Sequence, residues 1–272
     1  MAGSMPAALA APPRDGRRLA AWLALGLVLP AWVLLAGWSA SPWRGYVAHG
    51  GWGDAIALSP LCQSIPGGAV IVPAVLAALA WLLMIAAMMV PTVLPLVASF
   101  RHALSGRADS GRLVALLIAG YALAWLAFGF VAHAADAGVR AAAAASPRLA
   151  ANAWLIGAAV LALAGAFQFS ALKYRCLERC RTTFGFVNSH WHGRRPMAEA
   201  FRMGVDHGAF CVGCCWALML VMFVVGMGNA GWMLALAGLM AVEKNIPGGH
   251  RVRTPVGLGL LAWSAAIVVA HA

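Results

Sequence analysis

Long charge-free apolar stretches alternate along this chain with short basic segments. A helix needs about 20 apolar residues to cross about 30 Å of hydrocarbon, and the windows are read against that length. Leu19 to Trp38 is the first. The window between Asp54 and Arg101 exceeds one span, and its helix is placed at Ala69 to Phe100. The third and fourth run from Leu113 to Ala135 and from Leu149 to Leu172. Gly208 to Val242 is uncharged over 35 residues, which as one straight helix would extend about 52 Å. The turn-forming run Gly226-Met-Gly-Asn-Ala-Gly231 divides it into helices five and six. Helix five then begins before Gly208, and a seventh helix runs from Pro255.

Composition turns this pattern into a class. Of 272 residues, 63% are hydrophobic and 10% charged, and mean hydropathy is +0.83. A soluble domain carries about 25% charge, so a soluble enzyme, a disordered chain and a secreted disulfide scaffold are excluded. The expected fold is all-α, a polytopic transmembrane helix bundle of about seven spans. Five spans plus a re-entrant hairpin at 208–242 is the alternative. A net charge of +11 would suggest nucleic acid in a soluble protein. Against the lipid bilayer as partner it reports orientation instead, and no nucleic acid is expected.

With the N-terminus cytoplasmic, inner segments hold sixteen Lys and Arg, from Arg14, Arg17 and Arg18 to Lys244, Arg251 and Arg253; outer ones hold three, Arg44, Arg140 and Arg148. That asymmetry supports the topology. The first apolar run exceeds a signal-peptide core of about 7–15 residues, so it reads as an uncleaved helix. The expected organisation is one membrane domain over 1–272. It has a basic cytoplasmic N-terminus (1–18), a Cys- and Met-bearing core (69–244) and a basic cytoplasmic loop leading into helix five (173–207). The expected location is the bacterial inner membrane. Ala141 to Ala145 reads as part of an outer loop.

Five of the six Cys fall in two clusters near the inner face: Cys176 with Cys180, and Cys211, Cys214 and Cys215. A cytosolic face keeps thiols reduced, which disfavours a disulfide framework. At about 100° per residue, His207, Cys211, Cys214 and Cys215 share a helix sector of about 100°. Met222 falls inside that sector and Met219 beside it. Thiolates and thioethers are soft ligands, favouring Cu(I), with Zn(II) the competitor at an all-Cys site. Cys176 and Cys180, four residues apart, would add two thiolates, with Arg175, Arg179 and Arg181 favouring the ligating form. Packing alone is the structural alternative, because buried Cys commonly behaves as a small apolar residue.

Helix two carries Trp81, Met84, Met88, Pro91 and Pro95 at steps of three or four, with Met89 beside them. The prolines should kink it. The methionines read either as thioether ligands deeper in the bundle or as core filling. Gln168 reads as an interhelical or supporting group, and Glu243 and Lys244 as pairing with each other or with helix five, or as an interfacial anchor. His190 and His192 sit in the basic loop. His49, His133, His271 and Cys62 are assigned to the outer side. No Walker A sequence, no βαβ-linked Cys-x-x-Cys and no zinc-protease His spacing occurs.

Trp81-Leu-Leu-Met-Ile-Ala-Ala-Met-Met-Val-Pro91, Gln168 with Lys173 and Cys176-Leu-Glu-Arg-Cys180, Gly208-Ala-Phe-Cys-Val-Gly-Cys-Cys-Trp216, and Trp232-Met233 followed by Glu243-Lys244 resemble the predicted metal-binding integral membrane proteins. That family is described as copper-chaperone-like. The resemblance covers about Ala69 to Lys244. It implies a protein that holds a soft metal and hands it to copper enzymes, through a copper-accepting or copper-donating partner. It makes Cys176, Cys180, Cys211, Cys214 and Cys215 metal-site candidates. From the residues themselves, His207, Met84, Met88, Met219 and Met222 join them. The competing readings are a membrane thiol–disulfide oxidoreductase using the same cysteines, and a structural membrane partner protein.

Overall fold

The computed structural model describes residues 24–40, 68–226 and 229–271. Arg14, Arg17, Arg18, Arg44, His49 and Cys62 lie outside them. Every regular element among the described residues is helical. A π turn (Ala24–Val28) leads into α1 (Leu29–Ser39). α2 (Gly68–Met88), α3 (Val90–Ala103) and α4 (Ser110–Ala145) follow. Then come α5 (Pro147–Ala151), α6 (Ala153–Phe167), α7 (Ala171–Arg181), α8 (Thr183–His190), α9 (Pro196–Val225) and α10 (Ala230–Asn245). A 3₁₀ turn (Gly249–Val252) opens α11 (Arg253–His271).

Among the described residues, three stretches are long and apolar enough to cross a membrane: Ser110–Ala145, Pro196–Val225 and Gly249–His271. Counting each of two bent helix pairs as one span makes five. Of the other expected spans, Gly26–Trp38 is a shorter apolar helix. α10 has 16 residues, about 24 Å of rise.

The breaks have local causes. Helix two, placed at Ala69 to Phe100 with a kink expected at its prolines, bends by 68° between Met88 and Val90. Pro91 lacks the N–H that would continue the ladder and sits in the first turn of α3, where none is needed. The Thr92 hydroxyl donates to the Met89 carbonyl at 2.8 Å. The window from Leu149 to Leu172 is likewise divided, by a 62° bend between α6 and α7. Ser170 restarts the helix there, its Oγ accepting the Lys173 N–H at 3.1 Å. The turn expected within Gly226–Gly231 is present. Gly226 ends α9 with φ 91°, and Asn229 caps α10 by accepting the Gly231 and Trp232 N–H groups. The alanine run 141–145 is a correction. It is the last turn of α4, not loop, as the strongest helix former allows.

α4 and α9 make the most extensive helix contact, and they run parallel. Leu117 faces Gly204, and Tyr121 and Ala124 face Gly208. A Cβ on Gly204 would come within 2.0 Å of the Leu117 carbonyl oxygen, and one on Gly120 within 2.2 Å of the Phe201 oxygen. Only hydrogen fits, so Gly204-x-x-x-Gly208 works here as a small-residue contact stripe. α6 packs antiparallel on α11, with Ser264 Oγ donating to the Ala158 carbonyl at 2.7 Å. The basic connections gather at one end. Arg253 lies over Tyr174, Arg107 lies over Trp191, and Arg181 donates to the carbonyls of Glu243 and Ile246.

Candidate metal centre

All five described cysteines are free and buried. α9 supplies three of them, and the helical period puts Cys211, Cys214 and Cys215 on its buried face with His207, Met219 and Met222. α7 supplies the other two. The bend after Phe167 turns α7 against α9, so Cys180 Sγ lies 4.0 Å from Cys214 Sγ. Cys176 packs over Gly213, where a Cβ would sit 2.7 Å from its sulfur. Within α9 the Cys214 and Cys215 thiols donate to the Cys211 carbonyl, at 3.1 and 2.8 Å.

Two polar groups from other helices converge on Cys211. Tyr121 of α4 places its hydroxyl 3.0 Å from Cys211 Sγ. Lys244 of α10 places Nζ 2.9 Å from Cys211 Sγ, 3.7 Å from Cys215 Sγ and 3.5 Å from Thr92 Oγ1 of α3. Beside them, Lys173 donates to both Glu243 oxygens, at 2.8 and 3.0 Å, and to Gln168 Oε1. Lys173, Gln168 and Glu243 are all buried. A buried ion pair holds only when both charges are paired and hydrogen-bonded. This one ties the start of α7 to the end of α10.

The remaining expected residues fall as follows. Met84, Met88, Met219 and Met222 are buried in the same core as the thiols, joined by Met89, Met203, Met233 and Met240. The His207 ring is buried between Tyr121 and Phe186, at 6.2 and 5.3 Å, and its Nδ1 has no hydrogen-bond partner. The arginines expected to act on Cys176 and Cys180 are engaged elsewhere or exposed. Arg181 holds the α10 terminus, Arg179 lies over Phe210, and Arg175 is exposed. His190 ends α8 rather than lying in a loop, its Nδ1–H donating to the Phe186 carbonyl at 2.8 Å with Ser189 Oγ 2.9 Å away. His133 packs on Trp81 and Phe223, while His271 stacks on Trp154. Among the described residues, no three His, Cys, Asp or Glu side chains close into a ready-made metal-holding group.

Sequence reasoning missed Tyr121 and Thr92, and did not see that Lys244 reaches sulfur. One signal was available. The chain contains two lysines, Lys173 and Lys244, against seventeen arginines. Both lysines are buried, at 0% and 7% exposure, whereas lysine is ordinarily a surface residue.

A buried junction of thiols, with thioethers in the same core, is the donor chemistry that suits a soft metal ion. The family comparison agrees with that class. A family model described as "PpoB2: Copper chaperone" matches residues 78–267, and the chain belongs to this family. The match takes in every residue of the thiol junction and most of α11. No curated protein and no solved structure matches the chain.

Proposed function

We propose that this chain is an integral membrane protein that holds Cu(I) at the junction of α7 and α9 and hands it to a copper-accepting protein. The 4.0 Å approach of Cys180 and Cys214 carries the reading. Two sulfurs on one ion, at metal–sulfur bonds of about 2.3 Å, lie about 3.8 Å apart at a tetrahedral angle and about 4.6 Å apart when linear. The observed separation already lies in that range, across two helices, with Cys211 and Cys215 alongside. A low coordination number suits Cu(I) better than Zn(II), which takes four ligands in closed sites. It also suits transfer, because an incoming thiol can replace one sulfur at a time. Cys176 and His207 flank the junction as auxiliary donors. Met88, Met84, Met219 and Met222 supply thioethers in the same core, a route for the ion away from the thiols.

The helix directions support a cytoplasmic placement of this junction. α4, α9 and α11 run one way and α6 the other, which brings the Arg-rich connections 101–112, 173–195 and 246–253 to the thiol end. Under the positive-inside rule that end faces the cytoplasm, in a bacterial inner membrane. The first apolar helix and α10 would complete a seven-span bundle. Glutathione-rich cytoplasm keeps the thiols reduced and ready for metal.

The test is anaerobic Cu(I) titration of the full chain in detergent. About one ion per chain is expected, by the ligand-set argument. Replacing Cys180 and Cys214 together by Ser should weaken binding. Replacing Cys211, Cys214 and Cys215 together by Ser should abolish it, and unchanged stoichiometry in that variant refutes the assignment.

A further inference from the structure

Lys244 has no carboxylate within ion-pair distance among the described residues, whose buried salt bridge joins Lys173 to Glu243. Its Nζ contacts sulfur and one hydroxyl instead. An isolated buried ammonium is costly, and the cost is offset only by a matching anion. Apart from its two buried lysines the chain's Lys and Arg positions are all arginine, seventeen of them. Arg presents a broad planar fork, whereas Lys presents a compact point charge. Position 244 therefore carries the one type of cation that fits between two sulfur atoms.

We propose that Lys244 is the resident counter-cation of the thiol site and selects a singly anionic sulfur–metal complex. The proposal rests on the copper reading above. A cuprous ion held by two thiolates carries a net charge of −1. With Lys173 and Glu243 cancelling each other, the Lys244 ammonium balances that charge without help from solvent. With the ion absent, the same ammonium lies against Cys211 and Cys215. Lys244 is a positioning residue: it acts on the ion through the sulfurs and does not itself bind it.

The chain's two lysines make a direct experiment on the native protein possible. Selective ¹⁵N labelling of lysine gives two side-chain ammonium signals, both shielded from exchange by burial. Adding one equivalent of Ag(I), a diamagnetic ion of the same charge and softness as Cu(I), should move the Lys244 signal and leave the Lys173 signal in place. A Lys244 signal that stays still while Ag(I) binds overturns the proposal. The variants give a second readout, Cu(I) affinity by competition with a colorimetric chelator at fixed pH. Lys244→Leu should weaken affinity about 100-fold, as loss of a group supporting a metal ligand does, and Lys244→Arg, whose fork does not fit between the two sulfurs, should recover only part of it. Affinity in Lys244→Leu within threefold of native also overturns the proposal. A native chain that binds neither ion refutes the copper reading itself, and so is told apart from failure of the Lys244 role.

Discussion

The α4–α9 seam and the α6–α11 seam are both closed by glycine, yet they differ in what lies between them. At the first, Gly120, Gly204 and Gly208 let two backbones touch, and the same seam holds Tyr121, His207 and Cys211. At the second, Gly165 packs on Leu261 and the Gly257 carbonyl, and the one side-chain hydrogen bond across it runs from Ser264 to Ala158. The neighbouring core is Leu161, Ala164, Phe167, Ala217 and Val221. The second seam shows that close apolar packing is enough to join two helices of this bundle. The polar groups at the first are therefore surplus to structural need, and their desolvation cost points to a use.

The largest expected effect separates the charged layer from the apolar one. Glu243→Leu leaves Lys173 buried without its anion, and should destabilise the protein by about 3–5 kcal/mol. Adding Lys173→Met should restore most of that loss, because the pair is coupled. Thermal melting of both variants in detergent measures it, and a double variant no better than the single one would show that the ion pair is not what holds α7 to α10.

Next in size, Gly204→Val forces a side chain into the Leu117 backbone and should cost about 3 kcal/mol, at the upper end of overpacking effects. It should lower Cu(I) binding with it, since Tyr121 and Cys211 move apart. Gly165→Ala meets Leu261 Cγ at 2.8 Å and the Gly257 carbonyl oxygen at 3.0 Å and should cost about 1–2 kcal/mol with binding unchanged. Equal losses of binding in the two variants would erase the distinction between the seams. The smallest effect belongs to Ser264→Ala, which removes one hydrogen bond and should cost about 1 kcal/mol or less, again with native Cu(I) stoichiometry in the same titration.

The helical class, the turn after α9 and the shared face of Cys211, Cys214 and Cys215 were legible in the sequence because each is local. Hydropathy marks long apolar helices, Gly226 and Asn229 carry their own turn chemistry, and a 3.6-residue period orients neighbours on one helix. The bend before α7 was not legible. Apolar residues continue through it to Leu172, and only the Ser170 hydroxyl announces a new helix start. The approach of Cys180 to Cys214 depends on that bend, so it was equally hidden. Lys244 was read as a partner of Glu243, a partner of helix five or an anchor, and its contacts with Cys211 and Cys215 fit the second of these; position along α10 alone does not choose among them. The kink in helix two was foreseen from Pro91 and Pro95, but the size of the angle comes from how α3 packs on α8 and α10.

Because both lysines lie inside the bundle, the folded molecule presents no side-chain primary amine to solvent. Lysine-directed reagents reach neither side chain until the bundle opens. Labelling read at Lys173 and Lys244 themselves, by peptide mass mapping, should therefore gauge unfolding, absent from the intact protein and rising as the two side chains come into contact with water.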